Sequence, residues 1–485
     1  MQRQLIFYTA IYFFMSILPV SNCFSGDRYS YESIRTEYGY GERKETPSPP
    51  FNPDRPLSLD EAVRIALENN PDSRMAKARI AKAQAMIDKA EAAFYPSLGI
   101  YTEYVQGDAP SAFLFKTIDQ RQFDPTTDFN DPGWLQNFET GVQGRLNLFN
   151  GGKDFLNHGI AKRELGISRL ERQAVENELV ASVIKAYYDY LLAEDFIRIA
   201  ENALETVASE LRIMKVRYEA GGALKSDILS LEVRMAQAEE TLVRSRNRLR
   251  ITVAVLSTTL GIDPDSRIII DKNGKKAVNI PATYEDAVAL ALNNRPELKK
   301  VREKIQLSRM GLDSATSDYL PTLEVHGKYY HDDPNMSYDM DRQNWTIGAL
   351  LNWYFFTGLS TRSGQHIASA RIKEMLAADR KTALNIRLDV KTAYLKMQEA
   401  SARLEVTEKS VDSAEESLAL VKKQYEGGSA TITRYLEAEL ARNSAKINSA
   451  SAYYDKEKAI ADAGRAIGLW ATAVDEEDKG EGYEE

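Results

Sequence analysis

SLDEAVRIALENNP (Ser58–Pro71) returns as TYEDAVALALNNRP (Thr283–Pro296), with six of 14 positions identical at an offset of 225 residues. The same offset aligns Tyr95-Pro96 with Leu320-Pro321. Further along, an offset of 207 aligns Phe149-Asn150-Gly151 with Phe356-Thr357-Gly358, and Ala186-Tyr187 with Ala393-Tyr394. It also aligns Tyr218-Glu219-Ala220-Gly221 with Tyr425-Glu426-Gly427-Gly428, and Gly261 with Gly468. The chain is therefore an internal duplication. The change of 18 residues between the offsets falls between Pro96 and Phe149, so one loop there is longer in the first copy.

Each copy reads as helix, strand, loop, strand, long helix, turn, helix. Ser58 to Phe94 is Ala-rich with helical spacing and opens on a capping box, Ser58 with Glu61. Pro71 is its only internal Pro, and Pro96 stops it. Lys153 to Ala220 contains no Pro, and Ser360 to Glu426 repeats that run. Either one, if continuously helical, is about 100 Å long. Leu179, Val183, Ala186, Tyr190 and Ala193 step by four and three, close to a coiled-coil period. The two shorter helices of a copy match the long one in length, so they fit stacked end to end alongside it. Such a pattern predicts a tall helical cylinder or a rod.

The strand segments alternate. In Asn137–Phe149, Phe138, Thr140, Val142, Leu146 and Leu148 share one face, and Glu139, Gln143, Arg145 and Asn147 the other. Thr322–Tyr330 and Trp345–Tyr354 behave alike, with Trp345 and Trp353 on one face. Ten-residue segments of this kind with terminal aromatics are the signature of a membrane β-barrel, and also of a half-buried antiparallel sheet. Four strands cannot close a barrel, so a barrel requires several copies.

Composition narrows the function. The 485 residues carry 62 Lys and Arg against 71 Asp and Glu, a net charge of −9, which offers no basic face to nucleic acid. One Cys and four His exclude an intrachain disulfide and a Cys-based zinc cluster. Mean hydropathy is −0.41, which argues against a polytopic helical membrane protein but not against a barrel. Leu5–Val20 is uncharged and apolar, follows Arg3 and precedes small residues, the layout of an export signal. Cys23 is a candidate lipidation site, although Asn22 occupies the place usually held by a small residue. The expected organisation is signal (1–25), extended leader (26–56), first repeat (57–262), linker (263–281), second repeat (282–470) and acidic tail (471–485).

Two copies of this layout after a signal resemble the TolC-like outer-membrane efflux proteins. The resemblance runs from about Leu57 to Trp470. It is carried by LSLDEAVRIALENNP, AAFYPSLGI, LNLFNGGK, KAYYDYLLAED, VRYEAGGALKSDILSLE and LGID with their second-copy partners. It implies a mainly α fold with membrane β: a long α-helical barrel crossing the periplasm, below a trimeric 12-stranded β-barrel to which each subunit gives four strands. It implies a homotrimer in the outer membrane of a Gram-negative bacterium, in contact with its lipid. The duct would be open outward and closed at its periplasmic tip, where a periplasmic adaptor (membrane fusion) protein and an inner-membrane transporter dock. No cofactor, no metal and no catalytic residue are expected. The alternative is an exported periplasmic coiled-coil structural or adaptor protein.

The resemblance assigns adaptor docking to the helix turns: Arg217, Tyr218, Gly221 and Gly222 in the first copy, and Gln424, Tyr425, Gly427 and Gly428 in the second. It places the periplasmic aperture at Asp227, six residues past the first tip Gly, and at Arg434 and Glu437 in the second copy. The family's usual Asp is replaced by Arg434, which puts a purely acidic gate in doubt. HDDPNMSYDMD (His331–Asp341) is either a metal-binding cluster or, by preference, an acidic surface loop. FNGGKD (Phe149–Asp154) lacks the spacing of a phosphate loop and reads as a strand-to-helix turn. His158 and His366 lie early in the long helices with no evident acid partner.

Overall fold

The computed structural model describes residues 30–38, 52, 54–272, 279–337 and 341–471. The signal including Cys23, most of the leader, and all of the acidic tail except Ala471 lie outside the described residues. The chain divides into two units: one ends at Arg55 and contains the short helix α1 (Tyr31–Glu37), and the other begins at Pro56.

The second unit contains the duplicated body. Its first copy consists of α2 (Leu59–Asn69), α3 (Pro71–Glu91), β1 (Ser97–Gly107), α4 (Pro110–Asp119), β2 (Leu135–Asn150), α5 (Lys153–Glu219) and α6 (Lys225–Leu260). The second consists of α7 (Tyr284–Asn294), α8 (Pro296–Ser317), β3 (Thr322–Asp333), β4 (Gln343–Asn352), α9 (Ser360–Glu426) and α10 (Ile432–Ala466). Both long helices have 67 residues.

The single helix expected over Ser58–Phe94 is in fact two. Asn70 takes an extended conformation, and its side chain accepts from the Asp72 amide, while Pro71 occupies the first helical position. Pro lacks an amide hydrogen and disfavours helical geometry in the residue before it, so it starts a helix more readily than it continues one. Arg295 and Pro296 repeat the break in the second copy.

The helices form four columns. α3 and α6 both pack on α5, α5 packs on α8 and α10, and these two pack on α9. The short helices thus stack along the long ones as their lengths suggest. The two stacking joints are equivalent. Asn70 Nδ2 donates to the Thr259 carbonyl at 2.9 Å beside Gly261, and Arg295 Nη1 donates to the Ala466 carbonyl at 3.2 Å beside Gly468. Gly261 is left-handed, with φ 77°, and a Cβ there would stand 2.5 Å from the Asn69 carbonyl oxygen. The repeated tyrosines tie each copy to its incoming segment. Tyr187 OH donates to the carbonyls of Asp271 at 2.5 Å and Leu57 at 3.3 Å, and Tyr394 OH donates to that of Pro281.

The strands form one antiparallel sheet in the order β1-β2-β3-β4. Register puts Tyr101, Glu139, Gln143, Arg145, Glu324, His326, Lys328, Tyr330 and Asp332 on one face. The other face carries Leu98, Ile100, Tyr104, Phe138, Val142, Leu146, Val325, Tyr329, Trp345, Ile347 and Leu351. Trp345 and Trp353 are both exposed. Eight residues of tilted strand separate them by about 21 Å along a barrel axis, close to the spacing of the two aromatic girdles of an outer-membrane barrel. Among the described residues, no helix is long and apolar enough to cross a membrane.

Candidate functional site

The helix tips show how closely the two copies correspond. In the first, the Gly222 amide donates to the Arg217 carbonyl at 2.7 Å and the Gly221 amide to that of Tyr218 at 2.9 Å. In the second, the Ser429 amide donates to the Gln424 carbonyl at 2.8 Å and the Gly428 amide to that of Tyr425 at 3.0 Å. Both are Schellman-type ends, and Gly221 and Gly428 each have φ 76°. Ala220 (φ −81°, ψ 3°) and Gly427 (φ −82°, ψ 2°) are superimposable in conformation. The four tip glycines are therefore of two kinds: backbone geometry requires Gly221 and Gly428, but not Gly222 and Gly427.

The structure brings two of the sequence-predicted tip residues together. The Arg217 guanidinium lies 5.6 Å from the centre of the Tyr425 ring, which stacks on Tyr435 at 5.3 Å and 13°. Tyr435 OH reaches Glu210 Oε1 at 3.4 Å. Beneath them Val207, Leu211, Met214, Ile228, Leu231, Val421, Ile432 and Leu436 form one apolar cluster from both copies. Burial pushes the Tyr425 and Tyr435 phenols up, with Arg217 opposing the shift at Tyr425. Both rings therefore act as neutral packing groups.

Of the three residues assigned to the aperture, Asp227 lies on α6, while Arg434 and Glu437 lie one turn apart on α10. Asp227 caps α6, its Oδ2 accepting from the Leu224 amide at 3.3 Å. The second copy caps α10 from the other side: Thr431 Oγ1 accepts from the Arg434 amide at 3.3 Å. Thr431 thus relieves position 434 of the capping task, and Arg434 and Glu437 stand exposed on α10.

Sequence reasoning missed Glu439, which is buried on α10 with Oε1 lacking a hydrogen-bond partner. Arg442 approaches only to 3.8 Å. Burial raises its pKa, against the pull of Arg442. A signal for it was present in the sequence: Glu439 stands seven residues after Ile432, on the helix face that Ile432, Tyr435 and Leu436 mark, whereas Glu437 does not.

The His331–Asp341 segment is only in part the surface loop preferred from sequence, because β3 runs on to Asp333. Asp332 and Asp333 end β3 at 0 and 1% exposure. Asp332 accepts from Lys116, Asn137 and Asn344, and Asp333 from Arg342 and Ser337. Protein cations and amides satisfy both. Asp339 and Met340 lie outside the described residues, and among those described no group of three His, Cys, Asp or Glu gathers to hold a metal. His158 does have an acid partner, with Nε2 3.0 Å from Glu91 Oε1, because α3 packs along α5.

Comparison with known proteins agrees with this architecture. The sequence profile described as outer membrane efflux protein matches residues 62–262 and 287–468, one stretch per copy. Pyoverdine export outer membrane protein OpmQ of Pseudomonas putida is 22% identical over 381 residues, covering 79% of each chain. Alkaline protease secretion protein AprF of Pseudomonas aeruginosa is 25% identical over 305 residues, covering 61% of this chain and 62% of its own. The crystal structure of the outer membrane protein VceC from Vibrio cholerae superimposes with a TM-score of 0.70 at 19% identity, covering 84% of this chain and 96% of the other. With its tall columns, its sheet with one lipid-like face and a family match to both copies, this chain belongs to the outer membrane efflux protein family and is an outer-membrane channel, an exit duct for efflux or secretion.

Proposed function

We propose that three copies close one duct, which hands cargo from an inner-membrane transporter and a periplasmic adaptor to the exterior. The observation that carries this reading is a pair of open edges. β1 and β4 each have a neighbour on one side only. The outer helix columns likewise present unpartnered apolar side chains: Leu229, Val233, Ile251 and Val255 on α6, and Leu384, Leu388, Leu395 and Val406 on α9. Open strand edges are not tolerated in lipid, so the sheet must be completed by other copies. Three sets of four strands give 12, and three sets of four columns give a matching helical wall. The exported coiled-coil alternative leaves the apolar sheet face without a purpose.

The tips at Arg217–Gly222 and Gln424–Gly428 dock the adaptor, and Arg434 with Glu437 narrows the periplasmic aperture. In a trimer, three cations and three anions at this level form pairs within or between copies, in place of an acidic ring. The relatives' names speak of pyoverdine export and of protease secretion, so the cargo here is a small molecule or a protein. Two experiments test the reading. With the outer mouth freed by Lys116→Met, Arg434→Glu or Glu437→Lys raises closed-state conductance in planar bilayers, and unchanged conductance there removes the gate role. In-cell cross-linking from the tips recovers an adaptor, and recovery of none under conditions of active export removes the docking role.

A further inference from the structure

We propose that the helix inserted between β1 and β2 is an outer plug, and that three copies of it meet on the threefold axis through Phe115 and Ile118. The proposal rests on the trimeric reading above. It departs from the expectation of a duct open outward.

α4 lies in the segment that gives the first copy its longer loop. It rests on the polar face of the sheet at the end away from the long helices. Lys116 Nζ donates to Glu139 Oε2 and to Asp332 Oδ1, each at 2.8 Å. Gln120 Nε2 donates to Asn137 Oδ1 at 2.8 Å and to the Gln136 carbonyl at 3.0 Å. Asn344 Nδ2 donates to the Asp119 carbonyl at 3.3 Å, and Arg121 Nη2 to Asn344 Oδ1 at 3.1 Å. The anchors come from β2, β3 and β4. Buried polar groups joined this fully fix one geometry, because releasing the helix strands Glu139 and Asp332 away from their cation.

The polar face of an outer-membrane barrel is its lumen, so the helix sits inside the duct. Its opposite face is apolar: Ala112, Phe115 and Ile118, at helical spacing, point away from the sheet, with Phe115 65% exposed. A water-filled duct gives that stripe no reason to be apolar, whereas two further copies of it do. The dimensions agree. A 12-stranded barrel with strands about 4.8 Å apart and tilted about 40° has a backbone radius of about 12 Å. Three helices packed 8–10 Å apart place their axes about 5 Å from the centre. About 7 Å then separates each helix axis from the wall backbone, so the three helices fill the mouth and press against the wall. This contact also continues the interface that closes the barrel, since α4 follows directly on the edge strand β1.

The test uses single cysteines in the full chain carrying Cys23→Ser, extracted in detergent. Phe115→Cys and, separately, Ile118→Cys are oxidised with copper phenanthroline. A disulfide needs Cα atoms within about 7 Å, which only a contact at the axis provides. Denaturing gels are expected to show a two-chain band, absent for Thr102→Cys on the lipid face. Lys116→Met is expected to abolish the band in either background while leaving the trimer intact. Trimers that yield only single chains at both positions overturn the plug alone. A wild-type chain that forms no trimer overturns the plug together with the reading it rests on.

Discussion

Replacing Gly428 by Ala is expected to loosen the second helix tip, and replacing its neighbour Gly427 is not. Gly428 has φ 76° with open space around the missing Cβ, so the penalty is backbone strain alone. For an L residue held left-handed this is about 1 kcal/mol, which is about fivefold in a local opening equilibrium. Gly427 has φ −82°, and the equivalent position in the first copy is already alanine, Ala220, in the same conformation. A Cβ at 427 meets the Lys423 carbonyl oxygen at 3.3 Å, a contact of the kind Ala220 accommodates at its own helix end. The expected change at Gly427→Ala is within about 0.5 kcal/mol of zero, because lost chain entropy in the unfolded state offsets that contact. Amide hydrogen exchange reads the difference at Ser429 and Ala430, whose amides both donate to the Gln424 carbonyl. Protection there falls about fivefold in Gly428→Ala and stays within twofold in Gly427→Ala. Equal losses in the two variants would refute the reasoning, since side-chain volume rather than the sign of φ would then govern the tip.

Gly261→Ala is expected to lose more than Gly428→Ala, because the same left-handed strain is joined by a 2.5 Å overlap with the Asn69 carbonyl at the stacking joint; thermal unfolding in detergent measures it. Glu439→Gln is expected to stabilise the protein at neutral pH. A carboxyl with a raised folded pKa favours folding below its unfolded pKa and loses that contribution as pH rises through the folded one, so the gain disappears near about pH 4. Comparing unfolding of the two proteins across that range checks the sign. Leu388→Glu with Leu395→Glu removes about 1.5–3 kcal/mol of apolar burial per site and adds charge to the column edge, so size-exclusion chromatography is expected to show single chains.

Much of this was legible because the chain says most things twice. Gly221 and Gly428 end the long helices where the repeat places them, and Tyr187 and Tyr394 are equivalent anchors in the folded chain. The alternation in Phe138–Leu146 sorts the two faces of β2 as the register does. The failures have physical causes. Pro71 stands inside a run whose spacing reads as one helix, but an Asn before a Pro is a cap followed by a first helical residue. α4 has no counterpart in the second copy, and its ten residues serve a polar wall on one face and an apolar contact on the other, so neither period dominates. Asp332 and Asp333 read as solvated because their partners, Lys116, Asn137 and Arg342, are set by tertiary pairing. The aperture was assigned by likeness, and the exchange of Asp227 capping for Thr431 capping explains why a cation is free to stand at position 434.

Native mass spectrometry of the detergent-extracted protein addresses the central claim most directly, because neither the sheet nor the helical wall is complete in one chain. Three chain masses in one particle are the expected result. A particle that retains one chain mass after gentle extraction would contradict the account, because β1, β4 and both outer helix columns would then have to remain open in the membrane.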